Sequence, residues 1–346
     1  MMNSQYNVID LFCGCGGFSL GFEKAGFNVI LGIDVWKDAL STFRHNHQNS
    51  KVLEADLSVL VPENIKPLIE NKKIDVIIGG PPCQGFSIAG KRIVDDIRNR
   101  LYKNFVHFVE YFKPKAFVME NVPNILTIGG GAVRDSIISD FLDLGYTVEY
   151  KVLTASDYGV PQNRKRAFFV GFLKNHHFSF PIPFETDKVT SEQAISDLPD
   201  YSVEDGAEYP IPPQSDYQKL MRLDSTALNN HQVTNHNQKT IDIISKVPDG
   251  GNYKDLPADL QGTRNVHIAW TRLNSKKPSF TIDTGHRHHF HYSYNRIPTA
   301  RESARLQSFP DDFLFTCSRT SQLKQIGNAV PPLMSEAIAK SLLEQL

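Results

Sequence analysis

The stretch "NVIDLFCGCGGFSLGFEKAGFNVILGID", Asn7 to Asp34, decides the fold. It opens with a short apolar run, "NVIDLF" (7–12), in which Asp10 sits, followed by glycine-rich "CGCGG". "FSLGFEKAG" (18–26) then repeats apolar residues at helical spacing and stops at Gly26. "NVILGID" (28–34) is a second apolar run ending in an acid. Strand, glycine loop, helix and strand in that order predict a parallel βαβ unit.

The same alternation continues outward. "VLEAD" (52–56), "DVIIGG" (75–80) and "AFVMEN" (116–121) read as further strands. "LYKNFVHFVEYF" (101–112) and "RDSIISDFLDLG" (134–145) read as helices, and "TVEYKVLTA" and "RAFFVGF" as later strands. The pattern predicts an α/β fold with a doubly wound, mixed but mostly parallel sheet. Ligands of such sheets sit beyond the carboxyl ends of the strands. Asp10, Asp34, Asp56, Cys83 and Glu120 all lie at or just past such ends.

After Phe180 the pattern changes. "FPIPFETDK" and "YPIPPQ" are proline-rich connections, and 185–295 is polar, His-rich and broken by Gly and Pro. That region predicts a smaller unit of short strands and loops. "PPLMSEAIAKSLLEQL" closes the chain as a helix, with prolines where a helix start tolerates them. The expected division is 1–184 with 318–346 as one domain and 185–317 as a second.

With 346 residues, 40% of them hydrophobic, the chain can bury a sizeable core. It shows no apolar run long enough to span a membrane and no secretory pattern at its start, so a cytoplasmic protein with reduced thiols is expected. Cys13, Cys15, Cys83 and Cys317 have neither disulfide nor zinc-ribbon spacing. The net charge of −1 is uneven. Residues 185–208 hold eight acids and one base, whereas 214–325 hold fifteen Lys/Arg against ten Asp/Glu. The second segment could face phosphates, although an ordinary solvated surface reads the same way.

The loop 10–17 departs from G-x-G-x-x-G, which disfavours a nicotinamide dinucleotide. Asp34 is placed to hold ribose hydroxyls, and Asp56 to accept from an adenine amino group. Nothing nearby asks for phosphates. S-adenosylmethionine fits that demand; the alternative is that each acid caps a neighbouring helix. Cys83 in "IIGGPPCQGFSIAGK" (77–91) is, taken alone, a buried hydrophobe, a metal ligand, half a disulfide or a nucleophile.

Six motifs narrow the choice. "DLFCGCGGFSLG", "GGPPCQGFS", "MENV", "QNRKR", "RESARLQSFPDDF" and "QIGNAVPP" occur in the order and spacing of the C5-cytosine DNA methyltransferase family, and the chain resembles it nearly throughout except at 185–295. The resemblance implies a Rossmann-like methyltransferase fold with a small target-recognition domain. It implies S-adenosyl-L-methionine as donor, S-adenosyl-L-homocysteine as product and double-stranded DNA as substrate. Cys83 would add to cytosine C6 as a thiolate nucleophile. Glu120 would serve N3, which needs a raised pKa for proton donation at neutral pH. Arg164 would reach the cytosine O2, with Arg166 its companion, and an ordered water would take the C5 proton.

By the same resemblance Phe12 would stack on adenine beside the glycines Gly14, Gly16 and Gly17. Asp34 would take the ribose, here in place of a frequent Glu, and Asp56 with Leu57 the adenine edge. Pro82 and Leu101 would line the pocket, and Asn328 and Val330 would meet the methionine end. The loop 86–100 would close on a flipped-out base, with Ser87 and Lys91 toward DNA; an ordinary surface loop is the alternative. Thr281 would touch the DNA backbone, and Arg264, Arg272 and Arg287 are candidates for reading guanine. No metal is expected: "HRHHFH" (286–291) lacks a companion Cys or acid at ligand spacing, and Cys13-x-Cys15 lies inside the cofactor loop. A monomer is expected, with a restriction endonuclease as a separate partner. A tRNA methyltransferase, a catalytically dead DNA-binding regulator and a dehydrogenase remain as other readings.

Overall fold

A computed structural model describes residues 6–82, 97–173, 176–262, 270–285 and 289–346, side chains at 97–100 excepted. The chain forms two compact units. The first takes Met1–Thr154, Lys165–Pro183 and Pro332–Leu346; the second takes Ala155–Arg164 and Phe184–Pro331. Residues 155–164 and 318–331, grouped with the sheet by sequence, fall in the second unit.

The first unit runs β1 (Asn7–Leu11), α1 (Gly17–Lys24), β2 (Asn28–Asp34), α2 (Lys37–Asn46), β3 (Lys51–Glu54), β4 (Val76–Gly79), α3 (Ile97–Phe112), β5 (Ala116–Asn121), α4 (Ala132–Asp143), β6 (Tyr146–Thr154) and β7 (Lys165–Leu173). The seven strands are ordered β3-β2-β1-β4-β5-β7-β6. Pairing is parallel from β3 across to β5, and β7 runs antiparallel to both β5 and β6. Val8, Ile9 and Leu11 of β1 and Val76, Ile77 and Ile78 of β4 are fully buried. Unbroken apolar runs of this kind mark strands covered on both faces. Ile9, Leu31, Ile77, Phe105, Phe117 and Phe141 belong to one core cluster, in which Phe117 and Phe141 stack at 3.9 Å between centroids. Each such buried side chain contributes about 1.5–3 kcal/mol.

From β1 the chain moves outward to β2 and β3, and it resumes on the other side of β1 with β4 and β5. The winding reverses between β1 and β4, so the loops that follow those two strands open on one crevice. Helix Pro332–Leu343 returns to this unit and packs on α1, where Ser335 Oγ donates to Phe18 O at 2.7 Å.

The second unit differs from the expected strands and loops. Among the described residues it holds mainly short helices, including Ser191–Ile195, Asp216–Met221, Gln238–Ile244, Ala300–Leu306 and Arg319–Asn328. Among the described residues its one sheet pairs Thr271–Arg272 with His289–Phe290. The helices begin at side-chain caps: Thr190 with Gln193 and Thr299 with Glu302 as capping boxes, and Ser215 and Asn237 singly. Each such cap is worth about 1 kcal/mol. The charged motif "RESARLQSFPDDF" is internal. Arg305 binds Asp311 through two 2.6 Å bonds and Asp197 at 2.9 Å, and all three are fully buried. Arg296 grips Glu302 with two 2.8 Å bonds. Among the described residues no helix is long and apolar enough to cross a membrane.

Candidate active site

After Leu11 the chain turns through left-handed backbone at Phe12, Gly14 and Gly16 before α1 begins. Gly14 N–H donates to Asp34 Oδ2 at 2.9 Å, and Trp36 N–H donates to Asp34 Oδ1 at 2.9 Å. Asp34 thus ties the loop after β1 to the loop after β2. Burial raises its pKa, and those two N–H groups oppose the shift. A carboxylate oxygen has two lone pairs, so each can still accept from a ribose hydroxyl. A Cβ built on Gly14 meets nothing within 4 Å, so the loop borders open space.

Asp10 heads this loop and is fully buried. Ser19 Oγ donates to its Oδ2 at 2.6 Å, while Oδ1 is buried with no hydrogen-bond partner. Burial pushes its pKa up to about 8. Open space at Gly14 beside the Asp34 oxygens suits a ligand that brings ribose hydroxyls. On these observations the loop fits S-adenosylmethionine. Cys13 and Cys15 lie buried in the same loop, and burial raises both thiols, Cys15 to about 12. They are therefore unreactive neighbours. Among the described residues no His, Cys, Asp and Glu group could hold a metal ion.

Asp56 lies just beyond β3, and Ser58 N–H donates to its Oδ1 at 2.8 Å. Hydrogen bonds from Ser58 lower its pKa. Leu57 is buried. Asn104 of α3 holds this turn: its Nδ2 donates to Leu57 O and, at 2.8 Å, to Leu60 O. Leu101, one turn earlier on α3, packs half-buried against the core. Asn104 is absent from the motifs that the sequence offers. The signal for Asn104 was a short amide among the apolar residues of α3. Pro82 is exposed past β4, and Asn121 Nδ2 donates to Pro81 O at 2.8 Å.

Glu120 ends β5, and Arg166 begins β7. Antiparallel register sets Asn121 opposite Ala167, which brings Arg166 beside Glu120. Arg166 Nε stands 2.7 Å from Glu120 Oε1. Glu120 Oε2 faces the loop after β4, 2.9 Å from where a Cβ on Gly80 would stand. A side chain there would crowd the carboxylate.

Arg164 is placed differently from the expectation. It is 2% exposed, and its guanidinium donates to Ile282 O at 3.2 Å and Gly327 O at 2.9 Å. It fastens backbone of the second unit. Ile282 N–H donates to Gln162 Oε1 at 2.9 Å, so the half-buried Thr281 sits on a loop latched from two sides. Arg272 also departs from its expected role. Its guanidinium donates to the carbonyls of Val247, Ile244, His291 and Tyr294 and to Asn295 Oδ1, and it is 4% exposed. A guanidinium so enclosed holds these chain segments together. In "HRHHFH", His291 accepts from Ser293 N–H and Tyr294 N–H through Nδ1, which is structural work. Asn328 is exposed and Val330 buried in the second unit. Cys83, Ser87, Lys91, Arg264 and Arg287 lie outside the described residues.

A mostly parallel sheet with one reversed strand, a glycine loop after β1 and acids at or just past the carboxyl ends of β1, β2 and β3 define an S-adenosylmethionine-dependent methyltransferase fold. The chain belongs to the C-5 cytosine-specific DNA methylase family, whose sequence model matches residues 6–344. It is a DNA (cytosine-5)-methyltransferase. The chain is 41% identical over 339 residues to Type II methyltransferase M1.HphI of Haemophilus parahaemolyticus, covering 97% of this chain and 86% of that one. To Type II methyltransferase M.DdeI of Desulfomicrobium norvegicum it is 40% identical, covering 97% and 88%. A solved structure described as a prophage-encoded DNA modification methyltransferase (E. coli) superposes with a TM-score of 0.83 at 30% identity, covering 99% of both chains.

Proposed function

We propose that the protein flips a target cytosine out of duplex DNA and methylates its C5, with Cys83 as nucleophile and Glu120 and Arg166 as its partners on the ring. The observation that supports this most is the 2.7 Å Arg166–Glu120 pair beside the loop that leads to Cys83. Phe12, Gly14, Gly16, Gly17, Asp34, Asp56, Leu57, Pro82 and Leu101 are the proposed donor-binding residues of the first unit. When bound, S-adenosylmethionine supplies an electrophilic methyl group on a sulfonium.

The residues of this chain supply the rest. Cys83 Sγ forms a bond to C6, and the ring electrons move toward C5. Glu120 gives N3 a proton as that charge develops, which keeps the ring from becoming an anion. Arg166 holds Glu120 by one oxygen and leaves the other directed at the Gly80 side. Once C5 is methylated, water takes the C5 proton, the Cys83–C6 bond breaks, and N3 returns its proton to Glu120. Cys83 and Glu120 leave as they began, so the cycle balances.

The relatives named above are type II methyltransferases. By that likeness the reaction would protect the host's DNA from a separately encoded restriction endonuclease, with the chain working in the cytoplasm as a monomer. The test is a duplex in which 5-fluorocytosine replaces cytosine. Fluorine does not leave as a proton does, so the wild-type protein with S-adenosylmethionine should remain covalently bound. Cys83→Ala should bind the duplex and trap nothing. Absence of an adduct on every mixed-sequence duplex, with folded protein, sinks the reading.

A further inference from the structure

His47 belongs to none of the motifs above, yet its side chain is wholly buried beside the glycine loop. Its backbone ends α2, with N–H to Phe43 O at 2.9 Å. Its ring lies on Phe43, 4.2 Å between centroids. Nδ1 is 2.7 Å from Glu23 Oε2, in the last turn of α1. Another edge of the ring stands against Gly16, where a Cβ would come 2.1 Å from Nε2 and 2.6 Å from Cδ2. Gly16 is the left-handed residue (φ 99°) that starts α1; its N–H donates to Cys13 O at 3.0 Å and its carbonyl accepts from Leu20 at 2.8 Å. One imidazole therefore touches α1 at both ends.

A loop with left-handed backbone at three places in five residues has much conformational freedom to lose when it closes on a ligand. A wall that already holds it lowers that cost and raises affinity. We propose that His47 is a positioning residue for the methyl donor. Its ring is the wall that sets Gly16, and Glu23 holds the ring in place. This rests on the reading that loop 10–17 receives S-adenosylmethionine. It predicts that His47 acts on the donor alone, because it touches the glycine loop and α1 and lies on a different strand connection from Glu120.

The test measures S-adenosylhomocysteine binding by calorimetry, together with steady-state constants on duplex DNA, for the full chain. His47→Asn keeps a donor toward Glu23 but removes the ring edge at Gly16. It should weaken S-adenosylhomocysteine binding and raise KM for the donor by about tenfold, the scale for losing a group that orients a binding shell. KM for DNA and kcat at saturating donor should stay within about twofold, and His47→Phe, which keeps a ring, should recover most of the binding. Glu23→Gln, on a partly exposed side chain, should weaken binding by about threefold and covers the case in which His47→Asn does not fold. Wild-type affinity in folded His47→Asn, or in Glu23→Gln should the first not fold, overturns the role of His47 while the donor site stands. Wild-type protein that fails to bind S-adenosylhomocysteine takes away both.

Discussion

The Glu120 carboxylate and the Arg166 guanidinium meet at 2.7 Å across two strands that run in opposite directions. Forty-odd residues separate them in sequence, and only the reversal of β7 sets them side by side. Glu120→Gln and Arg166→Ala should each lower kcat by about 10²–10⁴, the range for a proton-transfer group or its orienter, with KM for the donor little changed. Arg166→Lys should not restore the rate, since the contact uses Nε of a planar fork that lysine lacks. Single-turnover methylation checks this; near-wild-type rates in Glu120→Gln refute it.

Arg164, two residues earlier, should behave as a structural residue. Arg164→Ala leaves the carbonyls of Ile282 and Gly327 without their donor, at a cost of about 1–3 kcal/mol each. Denaturant melts should show the loss, and S-adenosylhomocysteine should still bind to whatever fraction is folded. A stable Arg164→Ala protein with an intact melt and no turnover would instead mark Arg164 as a contact to the base.

Arg272→Ala should unfold the second unit rather than change which sequence is methylated. Its fork answers carbonyls from several chain segments around the Trp270–Phe290 stack. Bisulfite mapping of methylated DNA should give one site for Arg272→Lys and wild type alike, with a lower melting temperature for the variant. A changed site with an unchanged melt would return Arg272 to base reading.

Asp10 should impose a pH dependence on stability. Its pKa is about 8 in the folded protein against an ordinary 3.8. Between those values the folded chain keeps a proton that the unfolded chain has released. Stability from this group is therefore full in acid and lost as pH rises through the interval, by up to about 1.4 kcal/mol per pH unit. Asp10→Asn keeps an oxygen for Ser19 and carries no proton equilibrium. Its urea midpoint should fall less than that of wild type between pH 5 and pH 8; identical slopes would show that Asp10 is ionised in the folded state.

Most of the sheet was legible because burial on both faces forces unbroken apolar runs. β2, β4 and β5 show them plainly, and β2 and β5 end in the polar residues Asp34 and Asn121. α2 is hidden in the sequence: "KDALSTFRHN" is mostly polar, and Ala39, Leu40, Thr42 and Phe43 form its buried stripe. The short helices of the second unit were mistaken for strands and loops because each is too short to show a period. Their caps were the better signal, as in "TSEQ", where Thr190 and Gln193 close a box. Residue types single out Glu120, Arg164 and Arg166, but not which arginine stands beside Glu120. That depends on where β7 begins: Arg164 precedes it and Arg166 lies in it. No periodicity reports that boundary, nor the direction of the strand.

Helix Pro332–Leu343 lies against α1, yet the whole second unit separates them in the chain. A growing chain would have made Asp10, Asp34, Glu120 and Arg166 long before the helix that covers α1 arrives. Domains usually complete in the order in which they are synthesised; here the sheet unit must wait for the unit inserted within it. The timing of assembly is thus written into the chain's order: folding of the donor-binding half ends only after the other half has been translated.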